Sequence, residues 1–343
     1  MSARIVVTGG AGFVGSHAVV ELLARGDEIC VIDNFANSSP EVIARVAQLT
    51  GRDIRVEPVD MRDMAALERV LGDFRPDVVL HFAALKSVGE GEAIPLAYYD
   101  VNVGGTVSLL KAMGAAGCDR IVFSSSATVY GAPDYLPLDE AHPCRPESVY
   151  GRTKRMAEEI LVDWAVATTG AGAMILRYFN PVGAHPSGDI GEDPRGTPNN
   201  LMPFLAQVAI GQRPEVAIFG ADYETPDGTG IRDYIHVVDL AQAHTAAVDH
   251  VLRGPGSDIF NIGTGEGTSV RELVAAYGRA CGRDLPFRVV GRREGDIPAY
   301  FADPSRAKAI LGWRARLGIA EMCESSWKWQ SRHPGGYGRR DPG

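Results

Sequence analysis

RIVVTGGAGFVGSH, residues 4–17, decides the fold. An apolar, β-rich run at 4–8 enters a glycine turn, and a helical pattern follows at 15–25. Gly9, Gly12 and Gly15 keep a three-residue spacing. In a strand–turn–helix, the first glycine permits the tight turn and the next lets a pyrophosphate approach the backbone. The last lets helix and strand pack closely. The helix start adds free N–H groups and the positive end of its dipole. A turn needing glycine for geometry alone would look the same, so the surroundings carry the weight.

Those surroundings repeat the pattern. Further β-rich runs lie at 28–33, 54–59, 78–82, 120–124 and 173–177, with helical patterns such as 103–116 between them. Nearly continuous apolar strands alternating with helices predict a parallel sheet covered on both faces, a doubly wound α/β (Rossmann) sheet. Asp33 ends the second run, 18 residues after Gly15. An acid there accepts hydrogen bonds from a ribose diol and repels a 2′-phosphate, which predicts NAD rather than NADP.

The texture changes at NPVGAHPSGDIGEDPRGTPNN (180–200), whose glycines, prolines and asparagines predict a long loop. Long loops in compact domains are usually functional. A helix is expected at 201–210, a strand near 216–219, and a return to the main sheet at 259–262. The expected division is a Rossmann domain over 1–180, re-entered around 236–262, and a smaller C-terminal α/β substrate domain over 181–343.

Bulk properties exclude several classes. The 343 residues carry a net charge of −9, which argues against a general nucleic-acid surface. The start shows no secretory segment, and no apolar run reaches the roughly 18 residues a membrane span needs, so a cytoplasmic protein is expected. The five cysteines form no C-x-x-C pair and the eight histidines lack ligand spacing, so no metal is expected.

Two stretches carry chemistry. FSSSATVYG (123–131) puts Ser124, Ser125 and Ser126 at a strand's C-terminal end, where open α/β sheets bind ligands. Such serines also cap helices. In SVYGRTK (148–154), Tyr150 and Lys154 share one helix face. Chance supplies roughly 0.16 such pairs in a chain of this composition, and a solvated surface pair is the plain alternative. A cation and a positive nicotinamide ring would both favour phenolate at Tyr150, drawing it toward the range where a general acid/base works. Ser126 could hold the same substrate hydroxyl. The residues alone therefore read as NAD-dependent alcohol/ketone chemistry.

Together with HFAALKSVGE (81–90), DGTGIRDYIHVVDLA (227–241) and RREGDIPAYFAD (292–303), these motifs resemble the extended short-chain dehydrogenase/reductase family. Within it they are similar to the UDP-glucose (UDP-galactose) 4-epimerases, over nearly the whole chain. The resemblance implies a cofactor site of Gly9, Gly12, Phe13, Val14, Gly15, Asp33, Asn34, Asn37, Ser38, Asp60, Met61, Phe82, Ala83, Ala84, Lys86, Asn102, Ser124, Tyr150, Lys154 and Tyr178. Ala84 stands where the family commonly has glycine. It implies a UDP-sugar site of Lys86, Ser126, Tyr150, Phe179, Asn180, Asn200, Leu201, Ala217, Phe219, Arg232, Tyr234, Arg293, Asp296 and Tyr300.

Arg232 and Arg293 would clamp the diphosphate, and Phe219 would lie near the uracil. Tyr300 would narrow the sugar pocket against N-acetyl groups. The implied reaction moves hydride from sugar C4 to NAD⁺ and back to the opposite face through a 4-keto sugar, interconverting UDP-galactose and UDP-glucose in a homodimer. The rival readings are another nucleotide-sugar epimerase or dehydratase, and a non-catalytic nucleotide-sensing module. No carboxylate follows Ser126, as a dehydratase would need, and the Tyr/Lys pair that a sensor tends to lose is intact.

Overall fold

β1 (Arg4–Thr8) runs into the glycine turn and α1 (Phe13–Arg25) leaves it. The computed structural model describes residues 2–196, 198, 200–293 and 295–338. β2 (Glu28–Ile32), α2 (Pro40–Thr50), β3 (Arg55–Glu57), α3 (Met64–Phe74) and β4 (Val78–His81) follow in alternation. Two short helices, α4 (Val88–Ala93) and α5 (Pro95–Tyr98), lead through a π-helical turn (Tyr99–Gly104) into α6 (Gly105–Ala116). β5 (Arg120–Ser126), α7 (Val149–Ala167) and β6 (Gly172–Tyr178) complete the series. The helix expected from 103 thus starts later, because a wider π coil, a feature frequent at functional sites, carries Asn102.

A further strand, Gly256–Ile262, returns beside β6. The sheet order is Gly256–Ile262, β6, β5, β4, β1, β2, β3, with every pairing parallel. The order reverses between β1 and β4, and such sheets bind ligands in the crevice at that point.

Strand periodicity explains the unbroken apolar runs. Ile5 and Val7 enter one core with Val19 and Leu22 of α1, Val46 of α2, and Leu240 and Ala247 of the helix Val237–Val251. Val6 points to the other core, with Leu67 and Leu71 of α3, Leu109 and Met113 of α6, and Leu161 of α7. Each fully buried leucine stabilises this packing by about 1.5–3 kcal/mol.

A second unit has its own core. Helices Leu201–Ala209, Val270–Cys281 and Ile319–Arg332 meet through Leu205, Leu273, Tyr277 and Met322. Strand Val216–Phe219 pairs with Phe287–Val290. Ile231–Arg232 lies between Thr268–Ser269 and Ala299–Tyr300, which sets Arg232 opposite Tyr300. Asn180–Val182, just beyond β6, pairs with Tyr234–His236 and ties the two units together at the sheet's C-terminal edge.

Candidate active site

The glycine turn is built for close approach. Gly9 has φ +69°, and a Cβ there would stand 2.7 Å from the Ala83 nitrogen. A Cβ on Gly15 would stand 2.3 Å from the Gly9 carbonyl, so only glycine lets α1 start this close to the turn. Gly12 caps α1 without a side-chain hydrogen bond, which leaves the first-turn N–H groups of Phe13 and Val14 open to an anion.

Asp33 is buried and holds the turn in place. Its Oδ2 accepts from Ala11 N–H (3.0 Å), and its Oδ1 accepts from Phe35 N–H (2.9 Å) and the Ser38 hydroxyl (2.8 Å). A carboxylate offers roughly four acceptor positions, so one remains for a ribose hydroxyl. Asn34 donates to Asp60 (2.9 Å), and the Arg62 guanidinium holds the Asp60 carboxyl well below the usual range. Met61 is buried under Gly105, while Asn37 is exposed.

On the facing lip, the Phe82 ring lies 4.6 Å from that of His244, Ala83 N–H reaches Thr8 Oγ1 (3.4 Å) and Ala84 is half-buried. Lys86 is exposed, 3.6 Å from Glu192. Asn102 is committed to the protein itself. Its Oδ1 accepts from Leu85 N–H (2.8 Å) and its Nδ2 donates to the Leu85 carbonyl (3.0 Å) and Thr153 Oγ1 (2.9 Å). It braces the lip against α7, and both of its amide hydrogens are already used.

Ser148 caps α7 by accepting from Gly151 N–H (3.0 Å), which puts Tyr150 in the first turn. Tyr150 and Lys154 are both buried. The Lys154 ammonium donates to the Ser124 carbonyl (2.8 Å), lies 4.7 Å from the Phe123 ring centroid and is 6.0 Å from that of Tyr150. The Ser124 hydroxyl meets that of Tyr178 (2.6 Å). Ser126 Oγ accepts from Thr128 N–H (3.2 Å) and Thr128 Oγ1 (3.0 Å), so its own proton is left to donate.

Burial dominates the electrostatics of this pair. It pushes the Tyr150 phenol up, while a hydrogen bond from Ser126 pulls the other way. It pushes Lys154 down to about 7, against the attraction of Glu158. The expectation that the lysine draws Tyr150 toward neutral pH is therefore not met by the chain's own groups. The four-residue spacing turns the ammonium to a backbone carbonyl, and desolvation penalises both charged forms.

Across the crevice, Arg232 donates to the carbonyls of Ile231 (2.8 Å) and Ile297 (2.9 Å) and pairs with Asp296. Arg293 stacks 3.8 Å from the Phe219 centroid, whereas Arg292 pairs with Asp222 (2.8 Å). Arg232 and Arg293 thus sit on separate partners. Ala217 and Phe219 share the face of their strand opposite buried Val216 and Ile218. Tyr234 is buried.

The Phe179 and Tyr300 rings lie 5.6 Å apart, and the Tyr300 hydroxyl donates to the Ala127 carbonyl (2.6 Å). Asn180 N–H bonds the Asp233 carbonyl (3.0 Å), Asn200 Nδ2 bonds Glu192 (3.1 Å) and Leu201 opens the next helix. The long loop also reaches the segment after β2, where Arg195 donates to the carbonyls of Ala36 (2.6 Å) and Ser38. Its glycines and prolines marked it as a loop of interest, but no sequence signal named its landing place. Thr128, Glu158 and Arg177 were also missed, although Glu158 continues the four-residue rhythm of Tyr150 and Lys154.

The profile described as NAD dependent epimerase/dehydratase family matches residues 5–263. The chain belongs to this family. Among its members, the UDP-glucose 4-epimerase of Bacillus subtilis is 52% identical over 333 residues, covering 97% of this chain and 98% of that protein. The crystal structure of UDP-glucose 4-epimerase from Bifidobacterium longum in complex with NAD⁺ and UDP has a TM-score of 0.93 and 49% identity. It covers 97% of this chain and 99% of its own. The enzyme of Stenotrophomonas maltophila, with NAD and formylated UDP-arabinopyranose, has a TM-score of 0.95 and 48% identity at the same coverage. The family fold accounts for the doubly wound sheet.

Proposed function

We propose that this chain interconverts UDP-galactose and UDP-glucose by reversible oxidation at sugar C4, through a 4-keto sugar, with NAD as resident cofactor. One observation carries the reading. Ser126 ends β5, Tyr150 opens α7 beside it, and the glycine turn ends β1 on the same edge of a parallel sheet. The complexes of the similar epimerases with NAD and UDP compounds support it.

The residues fit the cofactor. The uncapped start of α1 suits a pyrophosphate, and the remaining acceptor of Asp33 suits a ribose hydroxyl. NAD held there would supply the acceptor and donor of the C4 hydride, and its positive ring would favour phenolate at Tyr150. Tyr150 takes the proton of the 4-hydroxyl and later gives it back. Ser126, with its lone pairs engaged by Thr128, donates to the same oxygen. Lys154 would reach the nicotinamide ribose with its remaining donors. Arg232 and Arg293 hold the diphosphate while the keto sugar turns to present its other face.

A homodimer belongs to the same proposal. Val88, Ile94, Leu96, Met156 and Val166 are exposed on or beside α4, α5 and α7, and α7 packs against both short helices. No helix among the described residues is long and apolar enough to cross a membrane.

The test is conversion of UDP-galactose by the purified chain without added NAD, followed by release of NAD on denaturation. Tyr150→Phe should retain bound NAD and lose about 100-fold or more in turnover. Near-full turnover in that variant would remove Tyr150 from the proton transfer.

A further inference from the structure

Tyr150, Lys154 and Glu158 follow one another at four-residue steps, so α7 presents them on one face. Glu158 is fully buried, and four donors converge on it. Its Oε1 accepts from the Ser125 hydroxyl (2.6 Å) and Arg177 Nε (2.9 Å), and its Oε2 accepts from Arg177 Nη2 (2.7 Å) and Arg155 Nη1 (3.3 Å). The bond to Arg177 is a two-pronged fork, the most geometrically demanding form of ion pair. Arg177 belongs to β6 and Ser125 to β5, so one carboxylate staples the catalytic helix to two adjacent strands. Arg177 is itself wedged under the Tyr130 ring, 4.8 Å from its centroid, and the Tyr130 hydroxyl is fixed on Asn261 (2.6 Å).

A buried ion pair is seldom more stabilising than apolar residues of the same volume. Its place beneath the Tyr/Lys pair asks for another reason, and the charges supply one. Lys154 faces Tyr150 and Glu158 on its own helix. From β5 it meets the Phe123 ring and the Ser124 carbonyl; its charge is felt by the imidazole of His81 on β4, and Arg177 of β6 stands behind Glu158. His81 is neutral, because burial and then Lys154 push it down to about 3. It accepts from Thr8 at Nδ1 (2.7 Å) and donates from Nε2 to Thr106 (3.1 Å), which in turn donates to the Asn102 carbonyl. Glu158 is the one carboxylate in that company.

We infer that Glu158, locked by Arg177 and Ser125, is a positioning residue that favours the charged form of Lys154 against burial and seats α7 so that Tyr150 meets Ser126. The inference rests on the proton-transfer reading of Tyr150 and Lys154, but it can be tested apart from it. The chain has only five lysines, so [ε-¹³C]lysine in the full-length protein gives a countable spectrum, with the Lys154 signal assigned by Lys154→Arg. Titrating that signal in Glu158→Gln should lower its midpoint by about one pH unit or more. The alkaline limb of kcat should move with it, and Glu158→Asp should restore part of both.

Glu158→Gln leaves Arg177 buried without its partner and could unfold. The pair Glu158→Gln with Arg177→Met removes both charges, and its Lys154 midpoint is then compared with that of Arg177→Met alone. A lower midpoint in the double variant supports the inference. An unmoved midpoint in either folded variant overturns it. Turnover that survives Tyr150→Phe would instead overturn the proton-transfer reading, and the lysine titration would still decide the role of Glu158.

Discussion

Asp33→Asn tests the proposed grip on the adenosine end of the cofactor. The carboxylate takes Ala11 N–H on one oxygen and Phe35 N–H with the Ser38 hydroxyl on the other. An asparagine has only one acceptor atom. With its oxygen toward Phe35 and Ser38, its NH₂ group meets Ala11 N–H, donor against donor. Flipped, the NH₂ meets Phe35 N–H, and only the Ser38 hydroxyl can turn to accept. Either way, one buried backbone N–H loses its partner, which costs about 1–3 kcal/mol.

Ala11 lies inside the glycine turn, so the cost falls on the turn's cofactor-competent shape. At 1.36 kcal/mol per factor of ten, NAD affinity should fall about 5- to 150-fold, before any loss of the ribose contact is counted. The assay is calorimetric titration of NAD into protein stripped of nucleotide, with NADP in parallel. NADP should lose less, because the charge that repels its 2′-phosphate is gone. NAD affinity within about twofold of the parent chain would show that Asp33 does not shape the turn.

Lys154 makes a prediction about stability. Its ammonium titrates near 10.4 in an unfolded chain and is pushed down to about 7 by burial in the folded one. Between those values the unfolded state binds the extra proton, so stability rises with pH, by up to about 1.4 kcal/mol per unit. Urea unfolding of nucleotide-stripped protein at pH 7, 8 and 9 should show that rise, and Lys154→Met should lack it; parallel curves would contradict the burial. Tyr300→Ala removes a ring packed on Phe179 and frees the Ala127 carbonyl. It should raise the turnover of UDP-N-acetylglucosamine relative to UDP-glucose by about tenfold or more, at a cost of about 3 kcal/mol in stability. An unchanged ratio would take Tyr300 out of sugar selection.

Much of this protein was legible in its residues because the relevant physics is local. The turn needs Gly9 and Gly15 where a Cβ would strike backbone, and a helix puts Tyr150 and Lys154 on one face whatever lies beyond it. Period-two alternation into two cores leaves the strands unbroken and apolar, which announces the parallel sheet. The position of Asp33, just beyond β2 and against the turn, was readable from spacing.

The direction of the pKa shifts was not readable, because burial is a property of the assembled fold and spacing carries none of it. The partners of the Asn102 amide, Leu85 and Thr153, are distant in sequence and no spacing names them. Arg292 and Arg293 are neighbours in the chain, yet one meets Asp222 and the other Phe219. The Glu158–Arg177 fork joins a helix to a strand that follows it, and Arg195 crosses from the second unit to the segment after β2. Residue spacing determines which side chains share a turn or a face, since those distances are set by the local backbone. Which groups lose water, and which distant partner replaces it, is decided only when the sheet and its helices close over them.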